Sequence, residues 1–324
     1  MTEKSTLAEL FELWITGKVS HDGIKPQTVR LYRDAWENHG RGPLGALLIG
    51  ELPTSRADKH IQAVSAFAVS QAGYLRVALS GMFGLAVRFD VLAVNPITGT
   101  RTVKSRRKPV RAVTPAEFAR IRELVAAYAA GRPGRGGPKP GRLLPAFVEM
   151  LAATGARLSE VLGLRWEDVD ILGDPPTVTV AGTLLDAGRI PGRPTHRQDA
   201  RKRDAPVHTV VLPKFGVEAL AALVGEPGMV GPVLANRNGG WSSLANMRRS
   251  LRAALPADLR WCTPHSFRRT NGTVVRDALG VEAAQQQLGH AQLATTERHY
   301  VERRTTGPDA RAALESFAAV QRPA

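Results

Sequence analysis

Four short stretches of this chain carry the side chains with which a protein does chemistry. The first runs Thr154-Gly155-Ala156-Arg157-Leu158-Ser159-Glu160. Gly155 breaks a helix, and Arg157 and Glu160 are spaced to share one face of the next turn. The second runs Thr263-Pro264-His265-Ser266-Phe267-Arg268-Arg269-Thr270. Its Pro264 suits a helix start, His265 and Arg268 are spaced to point to one place, and the free N–H groups of a helix start favour an anion. The third is Leu288-Gly289-His290, a helix end followed by a turn. The fourth is Thr295-Thr296-Glu297-Arg298-His299-Tyr300-Val301, with its tyrosine late in a helix. Singly, each has an ordinary reading: a surface Arg–Glu pair, a polar helix face, a structural histidine, a half-buried packing tyrosine.

Composition narrows the classes. Lys and Arg number 44 against 29 acids, a formal charge of +15, and such an excess favours a polyanionic partner because each neutralised phosphate releases counterions. A ribosome- or membrane-surface protein would share that charge. The one cysteine, Cys262, excludes an internal disulfide and a multi-cysteine zinc site, as fits a reducing cytosol. The sequence contains no P-loop and no zinc-ligand spacing, so neither metal nor cofactor is expected. The N-terminus does not read as a signal peptide, and no run of about 18 apolar residues predicts a membrane span. A cytoplasmic protein is expected.

The elements that must position these residues follow from periodicity and punctuation. Thr6 and Glu9 have capping-box spacing ahead of Leu7, Leu10, Phe11 and Trp14. Pro26 opens a second helix with Val29, Tyr32, Ala35 and Trp36 inward. A third is expected near 58–69. A fourth carries Leu75, Ala78, Leu79, Met82, Phe83 and Ala86 and stops before Asn95-Pro96. Residues 1–95 therefore predict a small helical domain. Residues 96–113 carry six basic residues and no acid, and read as a linker. Thr114-Pro115-Ala116-Glu117 begins helix 115–130, and the Gly- and Arg-rich stretch 131–142 reads as a surface loop. An apolar helix over 143–153 ends at Gly155, and a short helix follows over 158–164. Runs 177–180 and 207–212 predict strands joined by a long hairpin loop. Helices are expected over 214–224, 242–255, 264–279, 281–288 and 293–301. The last segment, 304–324, has the apolar spacing of a docking helix. The fold class is mostly α with a small β-sheet, in two domains: 1–95 and 114–303, the basic linker 96–113 between them and the tail 304–324 after.

Taken together, T-G-x-R-x-x-E, H-x-F-R-x-T, L-G-H and T-x-x-x-Y resemble, in order and spacing, the catalytic signature of the tyrosine recombinase (phage integrase) family. The stretch Arg197-Gln198-Asp199-Ala200-Arg201-Lys202, followed by Val207 to Pro213, resembles that family's β-hairpin with its catalytic lysine, although Arg203 stands where the family has a threonine. The helical N-terminal part is similar to the family's core-binding domain. The resemblance implies a site-specific DNA recombinase or integrase that cleaves and rejoins strands through a 3′-phosphotyrosine bond, without ATP or metal. It implies Tyr300 as the nucleophile, Arg157 and Arg268 as clamps on the phosphate, His265 as base, Lys202 as general acid, His290 as a phosphate hydrogen-bond donor and Glu160 as the residue that orients its neighbours. Two arginines are apt for that work because charge accumulates on the non-bridging oxygens in the transition state, and a guanidinium binds two of them at once.

The resemblance further implies double-stranded DNA at specific sites as partner, gripped between the two domains, self-association into a synaptic tetramer, and room for an accessory or directionality factor. It also implies docking of the tail onto a neighbouring subunit, so that deletion of 304–324 weakens synapsis but not DNA binding by the monomer. Arg30, Arg33 and Arg248 are candidate DNA contacts. Because the first helix begins near Leu7, no additional arm-binding domain is expected. A phage or integrative element is the expected origin. The alternatives are a type IB topoisomerase-like strand transferase, which would relax any supercoiled plasmid as a monomer, and a catalytically silent DNA-binding protein, which would bind without cleaving.

Overall fold

A computed structural model describes residues 2, 4–104, 111–131, 141, 143–186, 192, 194–201, 206–224, 230–289 and 307–319. The chain forms two compact units, Met1–Lys108 and Pro109–Ala324. The loop expected over 131–142 lies largely outside the described residues, and the helix expected over 293–301 wholly so.

In the first unit, helices α1 (Leu7–Ser20), α2 (Pro26–His39), α3 (Arg41–Leu44), α4 (Thr54–Ser65) and α5 (Val69–Arg88) enclose one apolar core. The capping box at Thr6 and Glu9 is formed: Thr6 N–H donates to the Glu9 carboxylate at 2.8 Å, and Glu9 N–H to the Thr6 hydroxyl at 3.2 Å. Phe11 stacks on Trp36 at 5.0 Å between ring centres. Trp14 lies so close to α5 that a methyl group on Gly81 would fall 2.4 Å from its Nε1. The helix expected near 58–69 is α4, which starts and ends four residues earlier. The expected linker also differs at its start. Ile97 is fully buried in this core, Thr54 donates to the Pro96 carbonyl at 2.8 Å, and Arg101 pairs with Asp58 at 2.8 Å. Basic composition hid the apolar Ile97 that docks the segment.

In the second unit, α6 (Pro115–Ala130), α7 (Leu143–Thr154), α8 (Leu158–Val161), α9 (Lys214–Ala221), α10 (Leu244–Ala254), α11 (Pro264–Leu279), α12 (Val281–Leu288) and α13 (Arg311–Ala318) surround a second core. Phe118 is its hub, with Phe267 edge-on at 6.1 Å and Phe317 stacked at 5.0 Å. Strands β1 (Val169–Asp170), β2 (Thr177–Val180) and β5 (His208–Val211) form an antiparallel sheet in the order β1-β2-β5, with Thr177 opposite Val211 and Val180 opposite His208. Val178, Val180 and Val210 face the core, while Thr179 and Thr209 pair at 3.1 Å on the other face, as the two-residue period of a strand requires. The region expected to be a long loop between β2 and β5 contains a second antiparallel pair, β3 (Thr183–Leu185) with β4 (His196–Gln198).

The tail helix α13 packs on its own unit rather than standing free. Leu314 is buried, Glu315 accepts from the Phe215 N–H at 3.1 Å, and the Ala318 carbonyl accepts from Arg122 at 2.8 Å.

Candidate functional site

The site is built where α7 ends. Asn271, buried on α11, donates to the Ala152 and Ala153 carbonyls at 2.8 and 3.2 Å, satisfying two acceptors that the helix end leaves without partners. The chain then reverses through Gly155 at φ +63°. A methyl group there would lie 2.6 Å from Asn271 Oδ1 and 2.9 Å from Leu288, so both the conformation and the close approach call for glycine. The reversal delivers Arg157 to the N-cap position of α8.

Arg157 and Glu160 form no ordinary surface pair. Glu160 is 1% exposed. Its carboxylate accepts from the Arg157 backbone N–H and from the Arg157 guanidinium, both at 2.8 Å. Burial pushes the Glu160 carboxyl up. The Arg157 charge, the backbone hydrogen bond and the Arg201 charge outweigh that and hold it below the usual carboxylate value. Glu160 therefore stays ionised at neutral pH.

Arg268 comes from the first turns of α11. Pro264 opens this helix, the Thr263 N–H donates to Ser266 Oγ at 3.0 Å, and buried Phe267 anchors the turn on Phe118. Arg268 is 3% exposed, and donates to the Gly155 carbonyl at 2.7 Å and the Leu288 carbonyl at 2.8 Å. Those two bonds leave three of the five guanidinium N–H groups for other acceptors. Burial, then repulsion from Arg157, push its pKa down to about 10. It remains a cation at neutral pH, held at electrostatic cost. His265 lies one turn earlier on α11 and is exposed.

One further residue, Arg201, joins this cluster, and His208 lies beside Gly289 next to it; the spacing of motifs singles out neither for the site. Arg201 is 3% exposed. Its Nε lies 3.5 Å from Glu160 Oε1, and its guanidinium donates to the Pro206 carbonyl at 2.7 Å. Burial lowers its pKa, with Glu160 opposing. His208, on β5, is 6% exposed and its Nε2 lies 3.0 Å from the Gln287 carbonyl oxygen. In sequence, Arg201 is one of several charges in Arg197-Gln198-Asp199-Ala200-Arg201-Lys202-Arg203, and nothing local marks the one that goes inside.

The structure thus brings Arg157, Glu160 and Arg268 together with Arg201. Lys202, His290 and Tyr300 lie outside the described residues. Among the described residues, three guanidiniums face one carboxylate, an excess of two positive charges in a poorly solvated place. An anion seated there would relieve their repulsion and receive forked hydrogen bonds. Among the described residues, no group of three or more His, Cys, Asp or Glu side chains converges as a metal site, and no helix is long and apolar enough to cross a membrane.

Residues 137–306, more than half of the chain, match the phage integrase family, and the chain belongs to that family. It is 26% identical over 223 residues to the tyrosine recombinase XerC of Xylella fastidiosa (strain M23), across 68% of this chain and 66% of that protein, just under two thirds of its length. The fold is similar to that of a Tn1549 transposon integrase fragment solved with a circular intermediate DNA, with a TM-score of 0.69, 17% identity, and 89% of this chain and 92% of that chain covered. It is also similar to a lambda integrase fragment solved as a dimer on a COC′ core site, with a TM-score of 0.64, 18% identity, and 92% and 99% covered.

Proposed function

We propose that the chain is a site-specific DNA recombinase of the integrase type that cuts and rejoins duplex DNA through Tyr300. The observation that carries this reading is the convergence of Arg157 and buried Arg268, from two separate elements, on the Gly155 turn beside one buried carboxylate. In a phage integrase-family chain, such a cluster fits the scissile phosphate.

The chemistry follows from the charges. The Tyr300 oxygen attacks phosphorus while its proton passes to His265. The bond from phosphorus to the 5′-oxygen breaks, and Lys202 gives that oxygen a proton. Arg157, Arg268 and His290 hold the non-bridging oxygens as their charge grows, and a single well-placed donor of this kind contributes about 2.7–4 kcal/mol. Glu160 holds Arg157 in position. The 3′-phosphotyrosine bond keeps the energy of the broken phosphodiester, so attack by a 5′-hydroxyl reseals the strand.

The relatives support the wider setting. A lambda integrase tetramer has been solved on a Holliday junction. The present chain is accordingly read as assembling into a synaptic tetramer on two DNA sites in the cytoplasm, with an accessory or directionality factor as a further partner. The test is recombination between two copies of the DNA flanking the gene, carried on one plasmid. Wild type should yield the resolved product, and Arg268→Lys, which keeps the charge but loses the fork, should yield roughly 100-fold less. Relaxation of any supercoiled plasmid without recombination would instead favour the topoisomerase reading.

A further inference from the structure

The candidate nucleophile lies eleven residues after Gly289 and seven before Gly307, and both of these glycines are described. Each lies close to the same side chain. A methyl group on Gly289, which ends α12 at φ +57°, would lie 3.1 Å from His208 Cδ2 and 2.8 Å from Arg201 Nη2. A methyl group on Gly307 would lie 3.6 Å from His208 Cε1 and 3.2 Å from the Gln287 amide oxygen. The Nε2 between those two ring carbons meets the Gln287 carbonyl at 3.0 Å. The next residue on β5, Thr209, accepts the Gly307 N–H at 2.9 Å. One imidazole therefore lies beside the chain where it leaves α12 and where it returns to the sheet.

We infer that His208 is a positioning residue for the tyrosine, pinning both ends of the segment that carries it to the sheet edge. The inference rests on the reading of Tyr300 as nucleophile. It does not make His208 a group that touches DNA: its ring is buried, and its Nε2 is engaged with a backbone carbonyl. The geometry needs a ring of this reach with a hydrogen-bonding atom at Nε2. Two backbones without side chains close on it, and a smaller or purely apolar residue would leave one end loose and the Gln287 carbonyl without its partner. The Leu288 carbonyl beside this turn is itself held by Arg268, so the pinned end is also tied to the anion site.

The test uses full-length His208→Leu, which keeps much of the volume without the polar atom, and His208→Gln, whose amide nitrogen reaches the Nε2 position. Two measurements are made. Hydrogen exchange should show Leu288–Gly289 and Gly307 losing protection together in His208→Leu and regaining it in His208→Gln, with the rest of the second unit unchanged. Loss at one end only, at neither, or throughout the unit would overturn the inference. Covalent adduct formation on nicked DNA from the gene's flanks should fall roughly 10-fold or more in His208→Leu at unchanged DNA affinity, and recover in His208→Gln. Equal rates in wild type and His208→Leu would overturn it. A wild type that forms no adduct would instead refute the assignment of Tyr300, while exchange still decides whether His208 pins the two ends.

Discussion

A single carboxylate sets the electrostatics of the site. Among the described residues, Glu160 is the one acid beside Arg157, Arg201 and Arg268, and it is buried. Removing one partner of a buried charge group costs about 3 kcal/mol or more because it strands the others, so Glu160→Gln should destabilise the second unit by that order at pH 7. The sign with pH follows from its lowered pKa. A carboxyl titrating below its unfolded value of about 4.3 contributes stability that is complete above that value and is lost as pH falls through the folded one. Urea unfolding of wild type and Glu160→Gln from pH 7 down to pH 3 should therefore show a gap that is full at neutral pH and closes below about pH 4. A gap that does not change with pH would contradict the role given to this carboxylate. At this scale the sequence was partly legible. Arg157 with Glu160, and His265 with Arg268, stand at spacings readable in the chain; of these the fold brings Arg157, Glu160 and Arg268 together, while His265 is exposed and its role belongs to the proposal. Arg201 and His208 stand at no such spacing, because their burial is created by Glu160, Gln287 and Gly289, remote in the chain.

The elements show the same division. Pro115, Gly155, Pro264 and Gly280 punctuate the chain, so α6, α7, α11 and α12 begin and end within a residue of where capping chemistry puts them. Strands β1, β3 and β4 are two or three residues long, and β4 is His196-Arg197-Gln198; such polar fragments become strands only by pairing, which no local pattern records. The tail is a different case. Its apolar spacing is readable, but the surface that it covers is not. Phe317 stacks on Phe118, Arg122 lies over the Phe118 ring at 4.2 Å, and Arg122 also bonds the Ala318 carbonyl. Docking of α13 on its own unit makes it part of the monomer's core. Phe317→Ala should then cost about 3 kcal/mol, or roughly 6–12 °C in the melting temperature of a unit of this size. An unchanged melting temperature, with only assembly on DNA impaired, would show that the helix belongs to a neighbouring subunit instead.

At the scale of the whole molecule, two separate cores lie under one strongly positive net charge. The helical first unit supplies a compact scaffold. The second holds the arginine cluster, the hairpin region that leads to Lys202, and the sheet edge to which the chain returns after Tyr300. A net charge of +15 would favour a polyanionic partner but would not by itself provide strand exchange. In the proposed function, strand exchange rests on a covalent bond between Tyr300 and DNA. The direct test is to incubate the full-length protein with nicked duplexes drawn from the flanks of its own gene and to resolve the products on a denaturing gel beside Tyr300→Phe. The account predicts a protein–DNA band with wild type that is absent with the variant. A band of equal strength with Tyr300→Phe, or none from any fragment despite tight DNA binding, would contradict it.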